Sequence, residues 1–455
     1  MQAVKEMNEV KKDNFWKKMI MIAGPVMLQQ IINLGVNLTD NIMVGSLREE
    51  AIDGVASGNQ FYFLFNIFCL GLGGGSAVVV SQLWGKRDVL SIKKVITLML
   101  RICIAVSAVF MAVSLFVPEL VMSVLTPEEG IIKQGAMYIR MMSMVYLIHG
   151  IALVMTIVYR SVGVVMLALV SSICSFGINI FFNWVFIFGK FGMPKMGVRG
   201  AALGTFLSRL VEFLIIIIYL LCKDKKVQYK IKDIFMPCKE MAKTFLSISV
   251  PVIISDVILQ LGNIAITMIM GRMENRTEML AANSITATTV QISTFLLLGM
   301  ANASSVMVGN SIGEGKIERA KAYGKRFLYI SIAVGAFGAL IIRFIGPVIM
   351  DFYNITEDTK ACTQSLIEAI SFILVFQAIS SVLTKGVLRG GGDTKFLMLA
   401  DVLFLWIASV PLGAIAGLWL QLDAFWVYVA VKIDLVIKAI WCIIRLYRGK
   451  WLKRV

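Results

Sequence analysis

An aspartate stands among amides near the end of the first long apolar run, where Asn33, Asn37, Asp40 and Asn41 interrupt an otherwise hydrophobic stretch. Ionisable groups are costly inside a membrane span, and where they occur they mark ion or substrate paths. A carboxylate in such a place can exchange a proton or hold a hard cation. The fifth apolar run carries Asn179 and Asn183, four residues apart and therefore on one helical face. Their amide oxygens can converge on a ligand, or the amides can glue neighbouring helices together. Asp256 stands near the middle of the seventh run, where a lone charge is hardest to accommodate. It reads as a second protonation site, as the counter-charge for a cationic substrate, or as a buried pair with a base such as Arg101, Arg140 or Arg209. Gln291, Gln377 and Asp401 join it as candidate substrate-site or second protonation-site residues, and Glu368 and Asp401 both fall toward helix ends. Lys432, Asp434 and Lys438 have the spacing of local i,i+4 pairs, and His149 is expected to make a single polar contact inside the fourth run.

Composition says what kind of element holds these groups. The chain has 455 residues, of which 58% are hydrophobic and only 16% charged, against roughly 25% charged in soluble domains. This is the composition of an all-α integral membrane protein. A formal charge of +16 belongs with basic cytoplasmic loops rather than with nucleic acid. The seven cysteines show no paired spacing, and neither an H-E-x-x-H pair nor a Walker glycine loop is present. No enzyme activity and no cofactor are expected. The first run lacks a small-residue cleavage site and reads as a retained helix.

Runs long enough to span fall at 19–44, 54–83, 93–117, 134–159, 162–189, 198–222, 244–271, 280–312, 327–350, 362–388, 396–419 and 424–445, which predicts twelve transmembrane helices. Lys5, Lys11 and Lys12, Lys86 and Arg87, Lys223 to Lys239, Lys316 to Arg326 and the basic tail all fall on one side of such a count, while Glu49, Glu50, Asp53, Glu128, Glu129, Glu357 and Asp358 fall on the other, where the bases are few apart from Lys190, Lys195 and Arg199. Both termini are therefore predicted to face the cytoplasm of a cell-membrane protein.

The chain also repeats. Pro25 and Gly45 recur as Pro251 and Gly271 at an offset of 226, Gly85 recurs as Gly313 at 228, and Arg160 recurs as Arg389 at 229. Six helices per repeat give two pseudo-symmetric lobes in one orientation: 1–222, a cytoplasmic linker at 223–243, and 244–455. Pro25 and Pro251 occupy equivalent places, each removing a helical hydrogen bond and permitting a kink. They are candidate hinges. Gly71 to Gly75 and Gly390 to Gly392 lack the lysine and strand of a phosphate loop and read as close helix packing and turns. Twenty-seven Met and twenty-seven Phe can give a cavity an adaptable apolar lining.

With GPV and TDNIMVG in the first run, GGSAVVVSQLWGKRD, VYRSVG, FIFGKFGMPKMGVRGAALGT and VLRGGGDTK, the chain resembles the MATE family of multidrug and toxic compound extrusion transporters over almost its whole length. The resemblance implies a monomeric antiporter in the bilayer, exporting organic cationic or amphipathic compounds against inward Na⁺ or H⁺. It implies a cation-coupling site at Asp40, Thr156, Asn179, Asn183 and Thr205, with Na⁺ held at Asp40, Asn179 and Asn183. Asn183 departs from the pattern, since some members carry a second acid there. Another branch uses an acid in the seventh helix, which Asp256 fits, and one near position 378, where this chain has Gln377. The alternative is a lipid-linked saccharide flippase of the same superfamily, whose pyrophosphate substrate calls for clustered arginines. A membrane-embedded transferase would need an acid pair or a catalytic His beside an acid, and neither is present.

Overall fold

The structure, a computed structural model, describes residues 14–45, 47, 49–351, 353 and 355–454, with the backbone alone at 49 and 292. Lys5, Lys11, Lys12 and the side chain of Glu49 lie outside the described residues. All twelve apolar runs are helical: α1 (Phe15–Val44), α2 (Glu49–Gly85), α3 (Val89–Phe116), α4 (Glu129–Ser161), α5 (Met166–Phe188), α6 (Val198–Ile218), α7 (Lys239–Met270), α8 (Arg276–Gly313), α9 (Ile317–Asp351), α10 (Glu357–Val382), α11 (Thr394–Leu403) and the two-piece α12 (Ala424–Val431 and Ile433–Arg448). Wider π turns carry α6 on to Lys223 and α10 on to Leu388, and interrupt the path of α11 to Trp419. A short helix, Pro118–Leu125, follows α3. Among the described residues eleven helices are long and apolar enough to cross a membrane.

The twelfth run departs from the continuous span expected at 424–445. It breaks at Lys432, whose φ and ψ are −115° and 9°. The first piece is almost wholly apolar, whereas the second places Asp434, Lys438 and Arg445 on a strongly amphipathic helix. Averaging hydropathy across the two hides the break. Other helices outrun their apolar runs, α2 beginning at Glu49 and α7 at Lys239, because polar turns continue the helix past the apolar stretch.

Contacts group the chain into two units. Of the described residues, the N-terminal unit comprises those within Pro25–Val80 and Asp88–Ile253, and the C-terminal unit those at 14–24, Ser81–Arg87 and 254–454. In the N-terminal unit, Val44, Val55, Tyr138, Met142, Ile187 and Ala202 form one buried cluster. Glycines let its helices approach closely: a Cβ on Gly71 would meet Ile253, and one on Gly75 would collide with Ser249 of α7. The 223–243 segment is a structured strap on α3. Arg101 donates to the carbonyls of Ile234 (2.9 and 2.7 Å) and Met236 (3.1 Å), Thr97 donates to the carbonyl of Asp233 (2.9 Å), and Lys93 pairs with the Asp233 carboxylate (3.3 Å).

The C-terminal unit has its own core, with Met270, Met279, Ile370, Ile373, Val427 and Val431 buried together. Its tail is docked: Trp451 is wholly buried, and a Cβ on Gly391 would collide with its ring. Asp393, also wholly buried, takes ion pairs from Arg445 (2.8 Å) and Lys453 (2.6 Å). Gly392 turns the chain there at φ +83°. The glycine run is thus a packing and turn device, as its sequence context indicates.

Candidate functional site

In the N-terminal unit α5 and α6 are packed face to face, and the small residues Gly200, Ala201 and Gly204 of α6 make this possible. A Cβ on Gly204 would collide with the side-chain oxygen of Asn183, so the glycine leaves the space which that amide fills. Asn183 donates through Nδ2 to Asp40 Oδ1 and, at 3.4 Å, to Asn179 Oδ1. Both asparagines are 1% exposed, while Asp40 is half-buried. The i,i+4 pair of α5 and the acid of α1 therefore meet.

The set is incompletely satisfied. Asn183 Oδ1 and Asn179 Nδ2 have no hydrogen-bond partner, and neither does the buried Thr156 hydroxyl of α4. An oxygen left bare in a buried site is expensive unless something occupies it. No base lies within ion-pair distance of Asp40 among the described residues. The other carboxylates within the twelve apolar runs each have one: Glu212 pairs with Arg209 (2.8 Å), Asp256 with Arg389 (3.4 Å), and Asp401 and Asp434 with Lys438 (2.7 and 3.6 Å). Glu368 pairs with Arg343 (2.8 Å). A carboxylate held by neutral amides, with free oxygens beside it, suits a hard cation or a proton.

No hydrogen bond joins Thr156 or Thr205 to Asp40; the Thr205 carbonyl accepts from Ser208 (2.8 Å). Behind Asp40 lies a network that the sequence reading did not assemble. Glu212 of α6, 5% exposed, sits beside Arg209 and 3.7 Å from His149 Nδ1, and His149 Nε2 meets Asn66 Oδ1 at 3.0 Å. The charge of Arg209 reaches Asp40. The i,i+3 spacing of Arg209 and Glu212 inside an apolar run was the available signal. His149 thus makes the single hydrogen bond expected of it, to Asn66, with the Glu212 carboxylate 3.7 Å from its other ring nitrogen.

The C-terminal unit answers the question of Asp256 differently from the sequence reading. Its base is Arg389, not Arg101, Arg140 or Arg209, which are taken by the strap carbonyls, Glu119 (2.9 Å) and Glu212. Asp401, 5% exposed, accepts from Ser255 and pairs with Lys438. The Ser409 hydroxyl donates to Asp434 (2.9 Å), and the expected local Asp434–Lys438 pair is present. Gln291 is exposed and Gln377 half-buried, and no hydrogen bond joins either to Asp256.

The two units share a wiring pattern. In the N-terminal unit, Arg160 donates to Gln29 (2.9 Å) and Gln29 to Ser172 (3.2 Å). The repeat offsets of 226 and 229 carry Gln29 to Ser255, Arg160 to Arg389 and Ser172 to Asp401. Both units thus tie α1 or α7 to the end of α4 or α10 and to α5 or α11, through Gln29 four residues beyond Pro25 and through Ser255 and Asp256 four and five residues beyond Pro251. The N-terminal tie uses amide and hydroxyl acceptors, and the C-terminal tie uses carboxylates.

The sequence pattern of one family, MatE, matches this chain twice, at 25–185 and 251–415. The chain belongs to the MatE family. The two matches in this MatE protein begin at Pro25 and Pro251, the residues that open the internal repeat. Curated relatives are distant but cover nearly the full length. A probable multidrug resistance protein NorM of Bacillus cereus is 22% identical over 435 residues, 95% of each chain. A protein of the same description from Thermotoga maritima is 24% identical over 442 residues, 96% of this chain and 93% of its own. The probable multidrug resistance protein YoeA of Bacillus subtilis is 23% identical over 425 residues, 92% and 90%. Among solved structures, the outward-facing form of a multidrug resistance MATE family transporter of the MOP superfamily superposes with a TM-score of 0.87 at 18% identity, covering 97% of this chain and 98% of the other. A MOP superfamily transporter from Pyrococcus furiosus matches equally, with a TM-score of 0.87 at 19% identity over the same shares. Both likenesses establish the fold.

Proposed function

We propose that this MatE protein is a secondary active multidrug exporter of the cell membrane, moving amphipathic organic compounds, cations among them, outward against inward Na⁺ or H⁺. The observation that carries the coupling site is Asp40, which among the described residues is the one intramembrane carboxylate of the five in α1, α6, α7, α11 and α12 with no base within ion-pair distance. Asn183 donates to it and to Asn179, and the unpartnered Asn183 oxygen is available to a cation. Thr156 and Thr205 are second-rank members of the same site, carried by the family pattern rather than by a contact. Asp256 and Asp401, each already neutralised by a base, act in the proposal as fixed charges of the C-terminal lobe. Gln291 and Gln377 remain proposed substrate-lining residues.

In this reading the lobes 1–222 and 244–455 alternate their access, with Pro25 and Pro251 as hinges and both termini cytoplasmic. Cation entry at Asp40 displaces the Asn183 N–H from the carboxylate and turns the amide oxygen toward the ion, so occupancy changes how α1 is held to α5. That is a differential contact of the kind a coupled transition requires. The protein acts as a monomeric transporter without a cofactor, and the flippase alternative gains nothing from the observed pairs, which consume the intramembrane arginines Arg209 and Arg389 internally. Export of a fluorescent organic cation from cells expressing the protein, measured with and without a Na⁺ gradient and across external pH, tests the reading. Export that follows neither gradient would overturn it.

A further inference from the structure

The C-terminal unit holds a second polar cluster whose charges do not balance. Its acids are Asp256, Asp401 and Asp434, and its bases Lys385, Arg389, Lys432 and Lys438. Arg389 engages Asp256, and Lys438 engages both other acids. Lys385 and Lys432 are left without an ion pair or side-chain hydrogen bond among the described residues, and of the two only Lys385 is exposed. It sits on the π turn Leu383–Leu388 that continues α10, and such turns are frequent at functional sites. Its neighbours Thr384, Gly386 and Val387 are buried, yet Lys385 itself is exposed. It does not simply face lipid. Arg389, one turn on and on the same face, bonds Asp256 of α7, so the face that carries Lys385 is the one turned to α7. A lipid-facing lysine would snorkel away from such groups. The repeat offset of 229 places Thr156 at the equivalent position of the N-terminal lobe, so the cation is a feature of one lobe only.

We infer that Lys385 recognises an anionic group, a carboxylate or sulfonate, on amphipathic substrates of this exporter. An accessible ammonium whose acidic neighbours are already engaged has three donors to offer and a charge to be matched. The inference rests on the export reading above and extends it: molecules that carry a carboxylate beside an apolar body are bound through Lys385, and plain cations are not. The role is one of substrate selection, separate from ion coupling at Asp40.

Rhodamine B and its ethyl ester differ by one free carboxylate and are both fluorescent. Binding to the purified full-length protein, followed by fluorescence polarisation, is expected to favour rhodamine B over the ester. In Lys385→Gln that preference is expected to fall by about tenfold or more, the scale of one charge-assisted hydrogen bond, with the ester unaffected, and Lys385→Arg is expected to retain it. Export from cells should follow: rhodamine B export falls in Lys385→Gln and ester export does not. Equal losses for both dyes would point to a lipid headgroup or a packing role for Lys385 and overturn the inference, as would unchanged preference in Lys385→Gln. If Lys385→Gln cannot be recovered folded, the wild-type protein still decides, since absence of any preference for rhodamine B overturns the inference. Wild-type protein that binds and exports neither dye would instead overturn the export reading, and this inference with it.

Discussion

Gly204 is the most informative single position because it contacts the site without belonging to it. Replacing it by alanine puts a methyl group into the space filled by the side-chain oxygen of Asn183, with the Asn183 backbone nitrogen 3.0 Å away. The backbone of α5 cannot yield cheaply, so the amide must swing out. Overpacking of this kind costs about 1–3 kcal/mol, and the Asn183–Asp40 bond that is lost with it is a charge-assisted one, about 1.5–3 kcal/mol. If the second quantity is withdrawn from cation binding, at about 1.4 kcal/mol per factor of ten, the concentration of driving cation giving half-maximal export rises roughly ten- to a hundredfold. The assay is dye export from cells at fixed pH with varied external Na⁺, then at fixed Na⁺ with varied pH, normalised to protein in the membrane. Gly177→Ala is the control: it lies on α5, the helix of Asn183, with nothing within 4 Å of the added Cβ and should be neutral. A Gly204→Ala protein present at normal level, with an unchanged half-maximal cation concentration, would refute the claim that Asn183 holds Asp40 in its working geometry.

Three further outcomes follow from the packing and the charges. Lys438→Met leaves Asp401 and Asp434 buried without their base and is expected to destabilise the purified protein by about 3–5 kcal/mol, read as a large fall in melting temperature; a normal melting curve would contradict the buried pairs. Trp451→Ala empties the seat against Gly391 and is expected to cost about 3–5 kcal/mol and to release the tail, so that trypsin cleaves at Lys450 and Lys453 far faster than in the wild type. Arg160→Gln cuts the N-terminal tie to Gln29 and is expected to slow export while dye affinity stays within about twofold; a matched loss of affinity would place Arg160 in the substrate site instead.

Much of the fold was legible because hydropathy is a local property. The twelve runs, the two prolines and the 226–229 offsets needed no tertiary knowledge, and the Asn179–Asn183 spacing placed both amides on one face before Asp40 was known to meet them. The break at Lys432 was hidden by averaging across an apolar half and an amphipathic half. Partner choice was the part that sequence could not settle: Asp256 has several bases at plausible depth, and only the packing of α7 on α10 selects Arg389. The Glu212–His149–Asn66 network joins α6, α4 and α2, and no one of those runs announces it. The repeat held more than was read from it, since Arg160 and Arg389 were visible as equivalents while their acceptors Gln29 and Asp256 were not.

The central claim is that Asp40 couples export to the inward cation. Proteoliposomes loaded with dye and given an imposed Na⁺ or pH gradient test it most directly, comparing wild type with Asp40→Asn, which keeps the shape and the amide contacts but removes the exchangeable charge. The wild type is expected to accelerate dye movement under one of the gradients, and Asp40→Asn is expected to bind dye normally and to ignore both. An Asp40→Asn protein that responds to the gradient as the wild type does would contradict the account.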